Sequence, residues 1–338
     1  MKTLLELENK MTKPSKQLVK DIQKIDGDIM ILGVGGKMGP SLAKLAKNAV
    51  REVGINKKII GTSRFSSNEV RMDLESLGIE TIAADLLDQN QLNSLPDVKN
   101  IIYMAGYKFG TFGNESYTWA MNTYLPGIVS EKFKNSRIVS FSSGNVYPFT
   151  KVSKGGADET NLPGPIGEYA QSCLGRERIF EYFARLYNIK MVHFRLNYAI
   201  DLRYGVLLEI ARNVFENKPI DLTTGHVNVI WQGDANEMAI RSLLLVDSPP
   251  LKLNITGPET ISIKWLAEQY GQRFGKTPIF INDENSTALL SNASKAHKLL
   301  GYPKVTLRQM IDWIANWVEI GGMTINKPTN FQEREGAF

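Results

Sequence analysis

The chain has 338 residues, 43% hydrophobic and 22% charged, enough for a large core and a second lobe. Its 40 basic and 35 acidic residues are scattered, and no basic block with interleaved aromatics points to nucleic acid. The single Cys173 excludes an intrachain disulfide, no Cys/His cluster fits structural zinc, and no apolar run reaches membrane-spanning length. With no apolar signal-peptide core at the N-terminus, a cytoplasmic protein is expected.

Residues 1–27 read as an N-terminal helical extension. Thr12 or Ser15 suits a helix cap with Pro14 in the first turn. Leu18, Ile22 and Ile25 fall on one face, and Lys16, Lys20 and Lys24 on another. The apolar stripe is thin, so packing on the body or on a partner is expected rather than membrane contact.

Residues 28–46 read DIMILGVGGKMGPSLAKLA. Ile29 to Leu32 is the apolar run of a strand buried on both faces. Gly33, Gly36 and Gly39 follow, and then Leu42, Leu45 and Ala46 at helical spacing. Strand, glycine turn and helix form the context in which such glycines admit a pyrophosphate to the backbone and to a helix N-terminus. The spacing is G-x-x-G-x-x-G with an extra Gly35, and by itself it is a weak signal.

Residues 58–62 predict a second strand, ended by Ser63 and Arg64. An acidic residue there would accept from the adenosine ribose and repel a 2′-phosphate, whereas a hydroxyl and a guanidinium suit that phosphate. NADP is therefore favoured over NAD. Residues 80–84 predict a third strand, running into Asp85 and Leu86, and residues 100–104 a fourth, running into Ala105 and Gly106. The loop Tyr107-Lys108-Phe109-Gly110 follows at the strand edge where parallel sheets bind ligands. Residues 119–130 predict a helix carrying Asn122, and residues 137–141 a fifth strand. After it comes Ser142-Ser143-Gly144-Asn145-Val146-Tyr147, and Tyr169 opens a helical stretch. Residues 191–196 predict a sixth strand. Beyond it, helices are expected over 203–213, 237–245 and 262–274, a late strand over 253–255, and a closing helix along Leu307, Met310, Ile311, Ile314 and Trp317. The aperiodic tail from Gly321 reads as loop, ordered by a partner if at all.

The order of these motifs resembles the extended short-chain dehydrogenase/reductase family, of the NAD-dependent epimerase/dehydratase type. The resemblance is carried by GVGGKMG at Gly33, DLLD at Asp85, YMAG at Tyr103, Asn122, SFSSGNVYP at Ser140, the Tyr169 helix, RLNYAID at Arg195, LNITGPETIS at Leu253 and NASKAHKLLGYP at Asn292. It implies an α/β fold: a doubly wound parallel-sheet Rossmann domain over 28–197, with returning segments near 226–256. A smaller α+β substrate lobe with its tail is expected over 198–225 and 257–338.

The resemblance implies a dinucleotide site at Gly33, Gly36, Lys37, Met38 and Gly39, with Asp85 and Leu86 at adenine. Met104, Ala105, Gly106 and Asn122 fall beside the ribose and phosphates. It implies Tyr169 as acid/base and Ser143 on the reacting oxygen, with hydride passing between nicotinamide and a sugar, sugar acid or sugar nucleotide. A substrate site is implied at Asn145, Asn197, Tyr198, Arg203, His226 and Trp231. Members of the family often dimerise through the tyrosine helix, where Phe180, Phe183 and Tyr187 suit an interface or a core.

The departure is Cys173. The family has Tyr-x-x-x-Lys, and i+4 shares a helix face with Tyr169. A thiol cannot supply the positive charge that lowers the tyrosine pKa and holds the ribose. Lys108 is the candidate replacement and also a candidate substrate contact, ahead of Lys151, Lys154 and Arg176. Cys173 suits a buried helix position better than a nucleophile. The same departure motivates the rival readings: an NAD(P)-binding sensor or scaffold without redox catalysis, or a lyase or isomerase that uses the cofactor transiently.

Overall fold

The computed structural model describes residues 1–108 and 110–336; Phe109 lies outside them. Seven parallel strands form the central sheet: β1 (Ile29–Leu32), β2 (Ile59–Ser63), β3 (Glu80–Ala83), β4 (Asn100–Tyr103), β5 (Arg137–Ser143), β6 (Met191–Leu196) and β7 (Leu251–Ile255). Their order is β7-β6-β5-β4-β1-β2-β3. Ile29 of β1 lies beside Ile59 on one flank and Asn100 on the other. The chain order reverses at β1, so the carboxyl ends of β1 and β4 open onto a crevice. All four residues of β1 are fully buried, as an apolar run covered on both sheet faces requires.

The second lobe has its own core, built on helices Val206–Phe215, Ile263–Phe274 and Leu307–Glu319. Trp231 is only 1% exposed there and packs edge-on against Trp313. Phe180 is likewise core, set edge-on to Tyr103, so it is not available to an interface.

Residues 1–27 form two helices where one is expected. The first, α1 (Leu4–Thr12), is capped by Thr3, whose hydroxyl accepts from Glu6 N at 3.1 Å. Thr12 is therefore not a cap: it ends α1, and its hydroxyl donates to Glu8 O. Ser15 caps α2 (Lys16–Lys24), accepting from Leu18 N at 3.0 Å, and Pro14 stands before the cap. Leu18 and Ile22 of α2, with Ile25 just beyond it, join the sheet core, while Leu7 and Met11 of α1 join the lobe core. The extension thus packs on its own chain and bridges both cores.

The helix expected over 119–130 is three pieces: α-helical Glu115–Trp119, a π-turn Ala120–Tyr124, and α-helical Leu125–Lys132. Pro126 has no N–H for the Asn122 carbonyl, and Arg176 Nε donates to it instead at 3.4 Å. The tail also differs from expectation, since it is ordered by this chain itself. Phe331 is 1% exposed in the lobe core, Thr329 donates to Glu209 at 2.5 Å, and Arg334 donates to the Thr287 carbonyl at 2.9 Å.

Asp21 of α2 accepts from Arg241 Nε at 2.8 Å, and Arg241 also donates to the Leu300 carbonyl. Burial pushes the Asp21 carboxyl up, but Arg241, Gln17 and Lys24 outweigh it and hold the pKa below the ordinary value. A carboxyl so lowered stabilises the fold above its unfolded pKa and loses that contribution as pH falls through the folded value. Asp21→Asn is expected to cost about 3 kcal/mol in urea unfolding at pH 7, a difference that narrows at pH 3.

Candidate active site

The turn after β1 is shaped by close backbone approaches. Gly33 has φ +90°, and a Cβ there would lie 2.7 Å from Ala105 N. A Cβ on Gly39 would run into the Val34 carbonyl, and one on Gly35 would meet Ser63 Oγ at 2.5 Å. Gly36 differs, because a Cβ there meets only the Gly33 carbonyl at 3.4 Å, so its outer face is open. The following helix, α3 (Gly39–Val53), has Met38 as N-cap with no side-chain hydrogen bond to its first-turn N–H groups. An open glycine face beside uncapped N–H donors fits a dinucleotide pyrophosphate.

Other expected cofactor residues line the same edge. Met104 N donates to Leu32 O at 2.8 Å as β4 ends, and Ala105 is buried beneath the turn. Asp85 is half-buried and accepts from Leu87 N at 3.0 Å, beside buried Leu86. Ser63 ends β2, and exposed Arg64 reaches Tyr117 Oη at 3.3 Å.

Asn122 is placed otherwise than expected. It is fully buried, its amide donates to Tyr107 O at 2.9 Å and Ser172 Oγ at 3.0 Å, and its Oδ1 accepts from Tyr107 N at 2.9 Å. With those groups spent, Asn122 fixes the loop that carries Lys108 rather than facing a cofactor. The Lys37 side chain also leaves the glycine turn, for its Nζ donates to Ala199 O at 3.1 Å.

Ser143 ends β5, where its hydroxyl accepts from Asn145 N at 3.1 Å. Tyr169 lies in the first turn of the helix Gly167–Tyr187, with the side chains of Ser143 and Cys173 close enough to influence its phenol. Burial pushes the Tyr169 phenol well above its ordinary pKa, and the Cys173 side chain adds to this, while Arg176 opposes both. Cys173 is fully buried, and burial raises its thiol, so it is a neutral packed side chain. Lys108 Nζ lies 5.6 Å from the centre of the Tyr169 ring. Burial draws this ammonium down to about 8, against the pull of Cys173. Lys151 and Lys154 are solvent-exposed. Arg176 is buried behind the site, donating to Phe141 O at 2.7 Å and Asn122 Oδ1 at 2.6 Å.

A deeper network holds these pieces. Glu177, two turns beyond Tyr169, accepts from Ser142 Oγ at 2.6 Å and pairs with Arg195 of β6 at 2.6 Å. Both members are at most 1% exposed. Arg195 donates to Tyr147 Oη at 2.5 Å, and Tyr147 donates to Asn254 Oδ1 at 2.9 Å. No spacing signals this network in the sequence, since its members lie on three strands, one helix and the loop that carries Tyr147.

Among the expected substrate residues, Asn145 and Tyr198 share a narrow cleft with Tyr147, Phe149, Leu289 and Arg334. Tyr198 has φ +43°, a strained conformation for a tyrosine. Arg203 pairs with buried Asp201 at 2.8 Å. Asn197 is spent on Asn228 Oδ1 at 2.9 Å. His226 sits in a two-strand ribbon opposite Ser262. Trp231 belongs to the lobe core, because its ring is too deeply buried to form a sugar platform. Arg334 escaped the sequence reading, since nothing periodic marks the tail.

The model of the NAD-dependent epimerase/dehydratase family matches residues 29–205, more than half of the chain. The chain belongs to this family. It is an enzyme of the extended short-chain dehydrogenase/reductase type, with NAD as the family's cofactor. A search of the curated proteins finds no match to the sequence. Among solved structures, Pal from Bacillus thuringiensis superposes with TM-score 0.70 at 16% identity, over 86% of this chain and 99% of that one. UDP-glucuronic acid 4-epimerase from Bacillus cereus, in complex with NAD, gives 0.69 at 19%, over 86% and 98%. UDP-glucose 4-epimerase from Thermotoga maritima, with UDP-glucose, gives 0.66 at 16%, over 86% and 98%. At these identities the likeness is one of fold.

Two glycine substitutions separate the cradle from the packing. Gly39→Ala is expected to lower stability by about 1–3 kcal/mol through its clash with Val34. Gly36→Ala is expected to change stability by less than about 0.5 kcal/mol, yet to weaken NADH binding about tenfold or more in a fluorescence titration.

Proposed function

We propose that this epimerase/dehydratase acts on the sugar of a sugar nucleotide, with Tyr169 moving the proton of the reacting hydroxyl. The juxtaposition of Tyr169 and Ser143 carries this reading, because it brings an acid/base and an oxygen-binding hydroxyl together at one sheet edge. The UDP-sugar epimerases of the same fold support the substrate class.

The bound dinucleotide supplies the hydride acceptor. The chain's own residues bind, orient and manage the proton. Ser143 is positioned to hydrogen-bond the reacting oxygen, and Tyr169 to exchange its proton. A phenol raised by burial stays protonated and gives up its proton reluctantly, so a neighbouring positive charge is needed to make it a base. The charge that the family draws from a lysine at the Cys173 position then comes from Lys108 over the Tyr169 ring and Arg176 behind it. The sensor reading keeps one observation in its favour, the neutral thiol at the lysine's place.

Tyr169→Phe is expected to abolish turnover of UDP-sugars while NADH still binds; retained turnover refutes the role. Lys108→Ala is expected to lower kcat about 10²-fold or more and to move the basic limb of the pH–rate profile. If turnover is insensitive to Lys108→Ala, then Arg176 alone carries the charge.

We also propose that Arg64, at the end of β2, favours NADP. Arg64→Ala is expected to weaken NADP binding about tenfold more than NAD binding, and equal losses refute it.

A further inference from the structure

The tail runs back across the cleft that holds Asn145 and Tyr198. Its root is firm. Phe331 is buried in the lobe core, Thr329 donates to Glu209, and Gln332 Nε2 donates to Asp221 O at 3.2 Å. Beyond Gln332 the chain is held differently. Among the described residues, no backbone group of residues 334–336 is hydrogen-bonded outside the tail. Arg334 is the clasp. It donates to Thr287 O at 2.9 Å and Thr287 Oγ1 at 2.6 Å, and its guanidinium carbon stands 4.1 Å from the centre of the Phe149 ring. Among the described residues no carboxylate pairs with it, and the neighbouring Glu333 carboxylate accepts from Glu335 N at 2.6 Å.

The tip reaches the tyrosine helix. Gly167 opens that helix two residues before Tyr169, and a Cβ there would lie 2.4 Å from Gly336 O. On the inner wall of the cleft, Asn145 Oδ1 accepts from Ser143 Oγ at 3.0 Å, so the cleft leads to Ser143. Glu333, Arg334 and Gly336 form the outer wall. The space between the walls is about 330 Å³. That is the low end of the roughly 300–1,000 Å³ of pockets for drug-sized ligands, and a sugar nucleotide with its diphosphate is large among these. Substrate and tail therefore compete for the cleft. A segment with a packed root and a tip held by few contacts opens locally at small cost.

We propose that residues 333–336 are a strap closed over the substrate cleft, hinged at Gln332 and clasped by Arg334 on Thr287, and that a sugar nucleotide enters by lifting it. This rests on the sugar-nucleotide reading above and adds a gate to the same site.

The test is calorimetric titration of the NAD-loaded protein with UDP-glucose and with UDP-glucuronic acid, repeated on a chain ending at Gln332 and on Arg334→Ala. Both variants keep Phe331, so melting temperature and NADH affinity are expected to stay close to the parent's. A ligand that must lift the strap binds in proportion to the open fraction, so each variant is expected to bind the UDP-sugar about threefold or more tighter than the parent. Trypsin cleavage after Arg334, followed by mass spectrometry, is expected to speed up about threefold or more when the UDP-sugar is added to the parent. Unchanged affinity in both variants overturns the strap and leaves the sugar-nucleotide reading standing. Weaker binding in both also overturns it, since the tail is then a fixed wall that holds substrate. A cleavage rate that the bound UDP-sugar leaves unchanged or lowers does the same. Failure of the parent and both variants to bind either UDP-sugar, with NADH still binding, overturns strap and sugar-nucleotide reading together.

Discussion

The ion pair between Glu177 and Arg195 is buried at the point where the tyrosine helix, β5 and β6 meet. Burial alone would raise the Glu177 carboxyl, yet the Arg195 hydrogen bonds outweigh it and hold the group well below the ordinary range. A pair this deep is worth little as net stability, because desolvation consumes most of the attraction. Its consequence is geometric. Glu177 also takes the hydroxyl of Ser142, so the residue just before Ser143 is tied to the helix that carries Tyr169. Arg195 extends the tie through Tyr147 to Asn254 of β7. The two hydroxyls at the site inherit their separation from a charge pair neither of them touches.

The loop after β4 is fixed by a second device. Pro126 denies the Asn122 carbonyl its helical partner, and the helix widens into a π-turn there. The Asn122 side chain then clamps Tyr107 from both its N–H and its carbonyl. Arg176 fills the space behind, and it forbids a side chain on Gly106, where a Cβ would stand 2.5 Å from the guanidinium. Cys173 packs without charge below Tyr169, and the buried Arg176 lies one turn further along the same helix. Lys108 stands on the other side of the Tyr169 ring.

Much of this was legible in the sequence. The sequence located the seven strands to within two residues, most of them as apolar runs, because strands buried on both faces tolerate little else; the edge strand Glu80–Ala83, largely uncovered, is the exception. The glycine turn read correctly, since close backbone approach selects glycine whatever the surroundings. Lys108 was singled out by its position past a strand end, and its ammonium stands 5.6 Å from the centre of the Tyr169 ring. Less legible were effects that depend on distant partners. Asn122 read as a cofactor residue because its helix position matched, but its amide answers to the Tyr107 backbone. Trp231 read as a substrate residue, but helix Leu307–Glu319 covers it. The tail read as loose because its anchors, Glu209 and Thr287, lie far away in sequence.

Lys37 shows how one position can join both lobes. The backbone of its turn must stay bare and tight for the dinucleotide, so glycines surround it, but its own side chain is free of that constraint. It crosses the crevice and rests on Ala199 and Tyr204, just beyond the strained Tyr198. The extension at the N-terminus spans the same two bodies on the far side, with α1 in the lobe core and α2 in the sheet core. The lobes are therefore held at two separated places, one apolar and one charged.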